Sequence, residues 1–250
     1  MNTCYAKLIG GIGNQLFIAA AGYSYAKKHG KRFAIDSSDW SASQGTHAVI
    51  YKDTIFKNFQ YESCLTRDVI GIHEKKFNYD ELPYHHGSVS IHGYFQSLKY
   101  FEDVKDEFIS LLNLPDLATK ISESNNVAVH IRRGDYLNYP DMHYVCKTDY
   151  FKEQFSKFEE YQKNVFTDSV DYVLNEFSDY NFNVMRSNSE LIDLTLMAQH
   201  ENIICSNSSF SWWASLLGKP KRKIIVPDKW FNNFEPHEDI YRSEFIKVPV

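Results

Sequence analysis

A doubly wound α/β protein in two domains is the architecture this sequence predicts. Three observations predict it. Strands and helices alternate at α/β lengths through the second half, and the chain opens as strand, glycine loop, helix, strand. Its 250 residues, 43% hydrophobic and 24% charged, suffice for one large or two small cores and exclude disordered and fibrous classes.

The elements follow in order. Tyr5–Ile9 reads as a strand running into Gly10-Gly11-Ile12-Gly13. Leu16, Phe17, Ala19, Ala20, Ala21 and Tyr25 then recur at helical spacing until His29-Gly30, a C-terminal stop. Arg32–Ile35 is a second strand. Residues 36–93 show little periodicity and are expected to be irregular. Lys99–Leu112 reads as one helix, and Leu114-Pro115-Asp116 as a break that separates an N-terminal domain, 1–115, from a C-terminal domain, 116–250. Beyond it, strands are expected at Val127–Ile131, Asn164–Thr167, Asn202–Cys205 and Lys223–Val226. Helices are expected at Tyr150–Tyr161, up to Phe177, at Glu190–His200 and at Ser209–Leu217.

Composition limits the partners. A formal charge of −5 gives no electrostatic reason to expect nucleic acid or an anionic membrane surface. No run approaches the roughly 18 apolar residues of a membrane span, and Met1–Ala6 lacks a signal-peptide pattern. Cys4, Cys64, Cys146 and Cys205 lack metal-ligand spacing and read as core thiols of a reducing compartment. A cytoplasmic protein is expected. The 17 Tyr, 18 Phe and 4 Trp serve either as core filler or as sugar-stacking platforms.

Three constellations carry chemistry. Gly11 and Gly13, with Asn14 and Gln15, sit between a strand and a helix. Glycines there either allow a tight packing turn or let an anion approach the helix N–H groups; the spacing does not fit a dinucleotide fingerprint. The run from Val127 ends in His130-Ile131-Arg132-Arg133-Gly134-Asp135, at the strand end where open α/β sheets bind ligands. Alternation turns Arg132 and Arg133 to opposite faces, one into a cleft and one toward a carboxylate such as Asp135. A guanidinium suits a diphosphate because its planar fork offers paired, charge-assisted hydrogen bonds. Finally, Ser206-Asn207-Ser208-Ser209 opens an aromatic helix that continues with Phe210 and Trp212-Trp213. Four polar residues exceed what one helix cap needs, so donors are expected to face outward toward phosphate; the tryptophans read as packing. Asp168 at another strand end is either a cap or an acceptor for the ring N–H and amino group of guanine. No Asp-x-Asp occurs in the sequence, so arginine and helix N-termini would neutralise the diphosphate.

GGIGNQLF at 10–17, HIRRGDY at 130–136, VFTDS at 165–169 and SNSSFSWW at 206–213 stand in the order of the α-1,2-fucosyltransferases, which the chain resembles from Lys7 to Phe231. The resemblance implies a GT-B-like fold: two Rossmann-like domains face a cleft, and the C-terminal one carries the donor site. It also implies a GDP-β-L-fucose donor, no metal or other cofactor, and transfer with inversion to the 2-hydroxyl of a galactose in a glycan. On it, Arg132 binds the β-phosphate and stabilises departing GDP. His130, Arg133, Asn207, Ser208, Ser209 and Phe210 line the donor site, Asp168 reads guanine, and the loop of Gly11, Gly13, Asn14 and Gln15 closes it from the other domain. Asp135 either takes the acceptor proton or orients the arginines. The chain departs from many relatives in having Asp168-Ser169 where they have two acids. Residues 36–93, where acceptor choice is expected to lie, match no family pattern. The rivals are a metal-independent glycosyltransferase with another donor sugar and a non-catalytic carbohydrate- or nucleotide-binding protein.

Overall fold

The computed structural model describes residues 1–38, 46–65, 68–116, 125–233 and 237–250. The chain divides into two compact units, Met1–Leu114 with Pro236–Arg242, and Pro115–Glu235 with Ser243–Val250. The return of 236–242 to the first unit departs from a single break near residue 115.

The first unit is built on a parallel sheet of order β3-β2-β1-β5-β4. Its strands are β1 (Thr3–Ala6), β2 (Arg32–Asp36), β3 (Tyr61–Glu62), β4 (Ile70–His73) and β5 (Val89–His92). Helix α1 (Ile12–Lys28) joins β1 to β2, so the expected opening βαβ unit is present. Most of α1 is buried, and the small side chains of Ala19, Ala20 and Ala21, all buried, let its neighbours pack close to the helix.

Residues 36–93 correct the expectation of irregular chain: they contribute three of the five strands. Residues 39–45 and 66–67 of that stretch lie outside the described residues. The strands escape sequence reading because they have two to four residues and carry Ser90, His73 and His92 among the apolar positions. The single helix expected at 99–112 is broken as well. Leu98–Tyr100 and Glu102–Val104 are 3-10 turns on either side of Phe101, which has φ −143° and a fully buried ring. Only α2 (Lys105–Leu111) is α-helical.

The second unit carries a six-stranded parallel sheet of order β11-β10-β9-β6-β7-β8. Its elements are β6 (Asn126–Ile131), α3 (Thr148–Lys157), β7 (Gln162–Thr167), α4 (Val170–Glu176), β8 (Phe182–Met185), α5 (Glu190–Ala198), β9 (Asn202–Ile204), α6 (Ser209–Leu216), β10 (Lys223–Pro227) and β11 (Phe245–Val248). The expected strands and helices are there within a few residues; the unexpected β8 and β11 are the two sheet edges, where partial exposure blurs the pattern. Chain order reverses between β6 and β9, making that pair the topological switch point. The aromatics are largely core: Phe151, Phe155, Phe177, Trp212 and Trp213 are buried, which settles the tryptophans as packing.

Beneath this sheet lies a buried polar chain. His200 Nδ1 donates to Leu196 O at 3.0 Å while Nε2 accepts from Asn164 Nδ2 at 2.9 Å. Both ring nitrogens are thereby satisfied in the neutral form, and burial pushes the imidazole pKa down from 6.5 to about 4. A folded-state value below the unfolded one contributes stability that is complete above pH 6.5 and declines as pH falls toward 4. The melting temperature is therefore expected to drop through that window. His200→Gln should lower it at pH 7 and flatten the acid slope, and an unaltered slope in thermal melts would place the titration elsewhere.

Candidate active site

Pairing between β6 and β9 ends at Val129 and Ile204, the last residue of β9 but two residues short of the end of β6. One hydroxyl takes over. Ser206 Oγ donates to His130 O at 2.7 Å and accepts from the Arg132 amide at 3.0 Å. On the other flank Thr167 Oγ donates to Ile131 O at 2.8 Å. The turn carrying the two arginines is thus fixed from both neighbouring strands.

Arg132 is the centre of the site. Its Nη2 lies 2.5 Å from Asp135 Oδ1 and its Nη1 3.0 Å from Asp168 Oδ2. One third of the side chain is open to solvent (34%), against 24% for Asp168 and 50% for Asp135. Burial alone would weaken the guanidinium's hold on its proton, but Asp168 and Asp135 outweigh it and raise the pKa. Arg133 has another role: its guanidinium lies 3.8 Å from the centroid of the Tyr172 ring, and its amide donates to Asp168 Oδ1 at 3.0 Å. The arginines do point to different partners, and both carboxylates belong to Arg132.

Asp168 is engaged at both oxygens, since Oδ1 also accepts from Ser169 Oγ at 3.1 Å. Its closeness to the turn explains Gly134. A Cβ there would stand 2.5 Å from Asp168 Oδ2, so any side chain would displace the carboxylate from Arg132.

His130 is buried, with its ring 5.2 Å from that of Phe210. Burial pushes its pKa down to about 3 against the opposing pull of Asp168, so the imidazole is neutral at any working pH. Its Nδ1 has no hydrogen-bond partner among the described residues.

The polar run before α6 corrects the expectation of four outward donors. Ser206 is consumed at the switch point. Asn207 is buried and its Nδ2 donates to Tyr144 O at 2.8 Å and Trp230 O at 2.7 Å. Ser208 Oγ accepts from the Phe210 amide at 3.3 Å, a helix cap. Ser209 and Phe210 are the partly exposed members. Two of the four residues therefore hold loops, because the chain ends around the switch point leave backbone groups that only side chains satisfy.

In the first unit the glycine turn is shaped by Gly10, at φ +76°, rather than by Gly11 or Gly13. Gly11 is the N-cap of α1 in extended conformation and Gly13 is buried within the helix. Gln15 is fully buried, and its Nε2 donates to Gly10 O at 2.8 Å and Thr46 O at 2.7 Å. Asn14 is partly exposed, its Oδ1 accepting from Gln96 Nε2 at 2.7 Å. Here too a polar side chain goes to the loop's own backbone.

Sequence reading passed over Glu74, just beyond β4. Its oxygens accept from the amides of Tyr94 at 2.8 Å and Phe95 at 2.9 Å, and burial outweighs those bonds to push its pKa up to about 7. The rings of His73 and His92 stack beside each other with centroids 4.7 Å apart. A single Glu after an unrecognised strand carries no signal in sequence.

An arginine held at the switch point, with a neutral buried histidine behind it and a capped helix start beside it, is a general anion-binding arrangement. The profile of Glycosyl transferase family 11 matches residues 44–249. The chain belongs to Glycosyl transferase family 11. Two relatives from Escherichia coli cover nearly the whole length of both chains. An alpha-1,2-colitosyltransferase is 26% identical across 94% of this chain and 97% of its own. The O-antigen biosynthesis glycosyltransferase WbnK is 25% identical across 91% and 94%. Among solved structures, the fucosyltransferase NodZ from Bradyrhizobium superposes with a TM-score of 0.52 at 15% identity, covering 87% of this chain and 93% of its own. A family 9 glycosyl transferase from Veillonella parvula reaches 0.54 at 7% identity over 99% and 87%. The fold is the GT-B-like one, and this family 11 protein is a glycosyltransferase. Among its described residues no helix is long and apolar enough to cross a membrane.

Whether glycosyl transfer depends on an undisturbed Arg132–Asp168 pair has a direct test. Gly134→Ala adds one carbon where Asp168 Oδ2 sits, without touching the core. Glycosyl transfer should fall by on the order of a hundredfold, as displacements of about 1 Å in an active site do, with the melting temperature nearly unchanged. Normal turnover in the variant would show that the pair is dispensable.

Proposed function

We propose that this enzyme transfers L-fucose from GDP-β-L-fucose to the 2-hydroxyl of a β-linked galactose in a glycan, with inversion and without a metal ion. The observation that carries the reading is Arg132, held between Asp135 and Asp168 at the carboxyl end of β6 and tied through its amide to the loop before α6. A planar, permanently charged fork in that position suits the leaving diphosphate, whose charge grows as the glycosidic bond breaks. NodZ has been crystallised with GDP, and Arabidopsis thaliana FUT1, similar in fold at a TM-score of 0.50, likewise in complex with GDP. The 2-linkage is favoured by the alpha-1,2-colitosyltransferase.

In this mechanism the diphosphate takes the solvent side of Arg132 and displaces Asp135, the more exposed of its two carboxylates, while Asp168 keeps the guanidinium aimed. The released Asp135 is then the base that accepts the proton of the attacking hydroxyl. His130, neutral, offers its unpartnered Nδ1 to the donor, and Ser208, Ser209 and Phe210 complete the donor side. The first unit takes the acceptor. All four thiols are unbridged, which suits a reducing compartment, and we place the enzyme in the cytoplasm.

A second reading follows from the colitosyltransferase relative: the same site serves a colitosyl donor, whose sugar lacks the 3-hydroxyl of fucose. Offering GDP-fucose, GDP-colitose and UDP-sugars with a panel of galactosides, read by mass spectrometry, separates the two.

GDP should raise the melting temperature as a ligand selective for the native state does, and UDP should do little. Turnover should survive excess EDTA. Arg132→Lys keeps a charge but loses the fork, so kcat should fall on the order of a hundredfold or more while GDP affinity falls less. Near-normal turnover in a folded Arg132→Lys protein would remove the arginine from the mechanism.

A further inference from the structure

Past Asp135 the chain runs Leu137-Asn138-Tyr139-Pro140-Asp141-Met142, and its backbone there is firmly held. Tyr136, in the 3-10 turn Asp135–Asn138, meets the Arg132 guanidinium at 5.5 Å from its ring centre and the stacked His143 ring at 4.1 Å. Its hydroxyl donates to Asn207 O at 3.1 Å. At the other end Asn232 Nδ2 donates to Pro140 O at 2.7 Å and His143 O at 3.0 Å, while the Asn232 amide donates to Met142 O at 3.0 Å.

The side chains on this pinned stretch are left open. Leu137 and Tyr139 are each 52% exposed and Met142 41%. Among the described residues no other stretch of six opens three large apolar side chains to solvent. A fixed loop that keeps apolar groups in water marks a binding surface. Asn138 and Asp141 are exposed among them, and neither side chain forms a hydrogen bond or ion pair with a described residue.

Apolar and polar groups interleaved in this way suit a sugar, which offers C–H faces to rings and hydroxyls to amides and carboxylates. A hydrocarbon chain would meet Asn138 and Asp141, and an anionic headgroup would be opposed by Asp141. Position narrows the choice. Asp135 and Asn138 are the ends of one 3-10 turn, in which side chains three apart eclipse, so a sugar hydroxyl at Asp135 has Asn138 beside it. The axial 4-hydroxyl of galactose leaves its hydrogens at C3, C4 and C5 on one apolar face. We propose that Leu137, Tyr139 and Met142 form a platform for the acceptor, with the Tyr139 ring against the C–H face of its galactose and Asn138 and Asp141 on its hydroxyls. The platform rests on the reading of Asp135 as the base of a galactoside-directed transfer. It puts part of acceptor choice outside residues 36–93.

Steady-state kinetics with GDP-fucose and lactose, together with saturation-transfer NMR of lactose on the same proteins, test it. The Tyr139 side chain is exposed, so Tyr139→Ala should melt like the wild type. It should raise acceptor KM about tenfold, the order of one lost ring contact, and weaken the lactose signal, with donor KM unmoved. Tyr139→Phe keeps the ring and should recover most of the loss. A Tyr139→Ala protein with wild-type acceptor KM and lactose signal overturns the platform. So does an equal rise in both KM values, or a wild type that gives no lactose signal. A changed oligomeric state in light scattering, with acceptor KM unaltered, assigns the patch to a second copy of the chain and overturns it too. Asp135→Asn separates the underlying reading: near-normal kcat there removes the base, and the acceptor KM of Tyr139→Ala then decides the platform alone. If the wild type transfers no fucose, the donor reading fails and the lactose signal decides in the same way.

Discussion

A buried hydroxyl at the switch point is the contact on which the site depends. At a switch point neighbouring strands send their loops to opposite faces, so the backbone groups just past the last ladder bond lose their partners. Ser206 Oγ supplies both a donor, to His130 O, and an acceptor, for the Arg132 amide. An alanine there would leave a buried carbonyl and an amide to find water that the packing around the switch point excludes. The loop that presents Arg132 is therefore rigid for a structural reason, and its rigidity aims the guanidinium.

The electrostatics of the site concern direction more than quantity of charge. Arg132 and Arg133 are opposed by Asp135 and Asp168, so the cluster is formally neutral. What distinguishes it is an arginine with one deeply engaged carboxylate and one exposed carboxylate. Exchange of the exposed partner for an incoming anion leaves Asp168 in place to keep the fork oriented, and preorganised groups of this kind need no rearrangement when charge develops. His130 adds no cation behind the arginine, because its burial keeps it neutral.

The second unit was legible in sequence and the first much less so. Strands such as Val127–Ile131 are buried on both faces and read as unbroken apolar runs, whereas Val89–His92 is equally buried but only four residues long with Ser and His among them. At the site, sequence located the right turn but not the partners of its side chains. That Arg132 rather than Arg133 takes the carboxylates depends on the turn at Gly134, beyond the reach of strand alternation. Asn207 and Gln15 looked like ligand-facing amides; both are spent on carbonyls of loops distant in sequence, Trp230 and Thr46. Residue type and spacing do not reveal such long-range debts of the backbone.

The return of the chain to the first unit bears on how that unit folds. Asp239 accepts from Lys99 Nζ at 2.6 Å and from the Tyr79 amide at 3.0 Å, and its own amide donates to Asn78 Oδ1 at 3.2 Å. These contacts join residues 140 to 161 positions apart, with the second unit's strands and helices lying between them along the chain. The entropy of closing so long a loop is met before its contacts return anything, so the first unit reaches its final packing late. A cut anywhere in the second unit would therefore weaken the first as well.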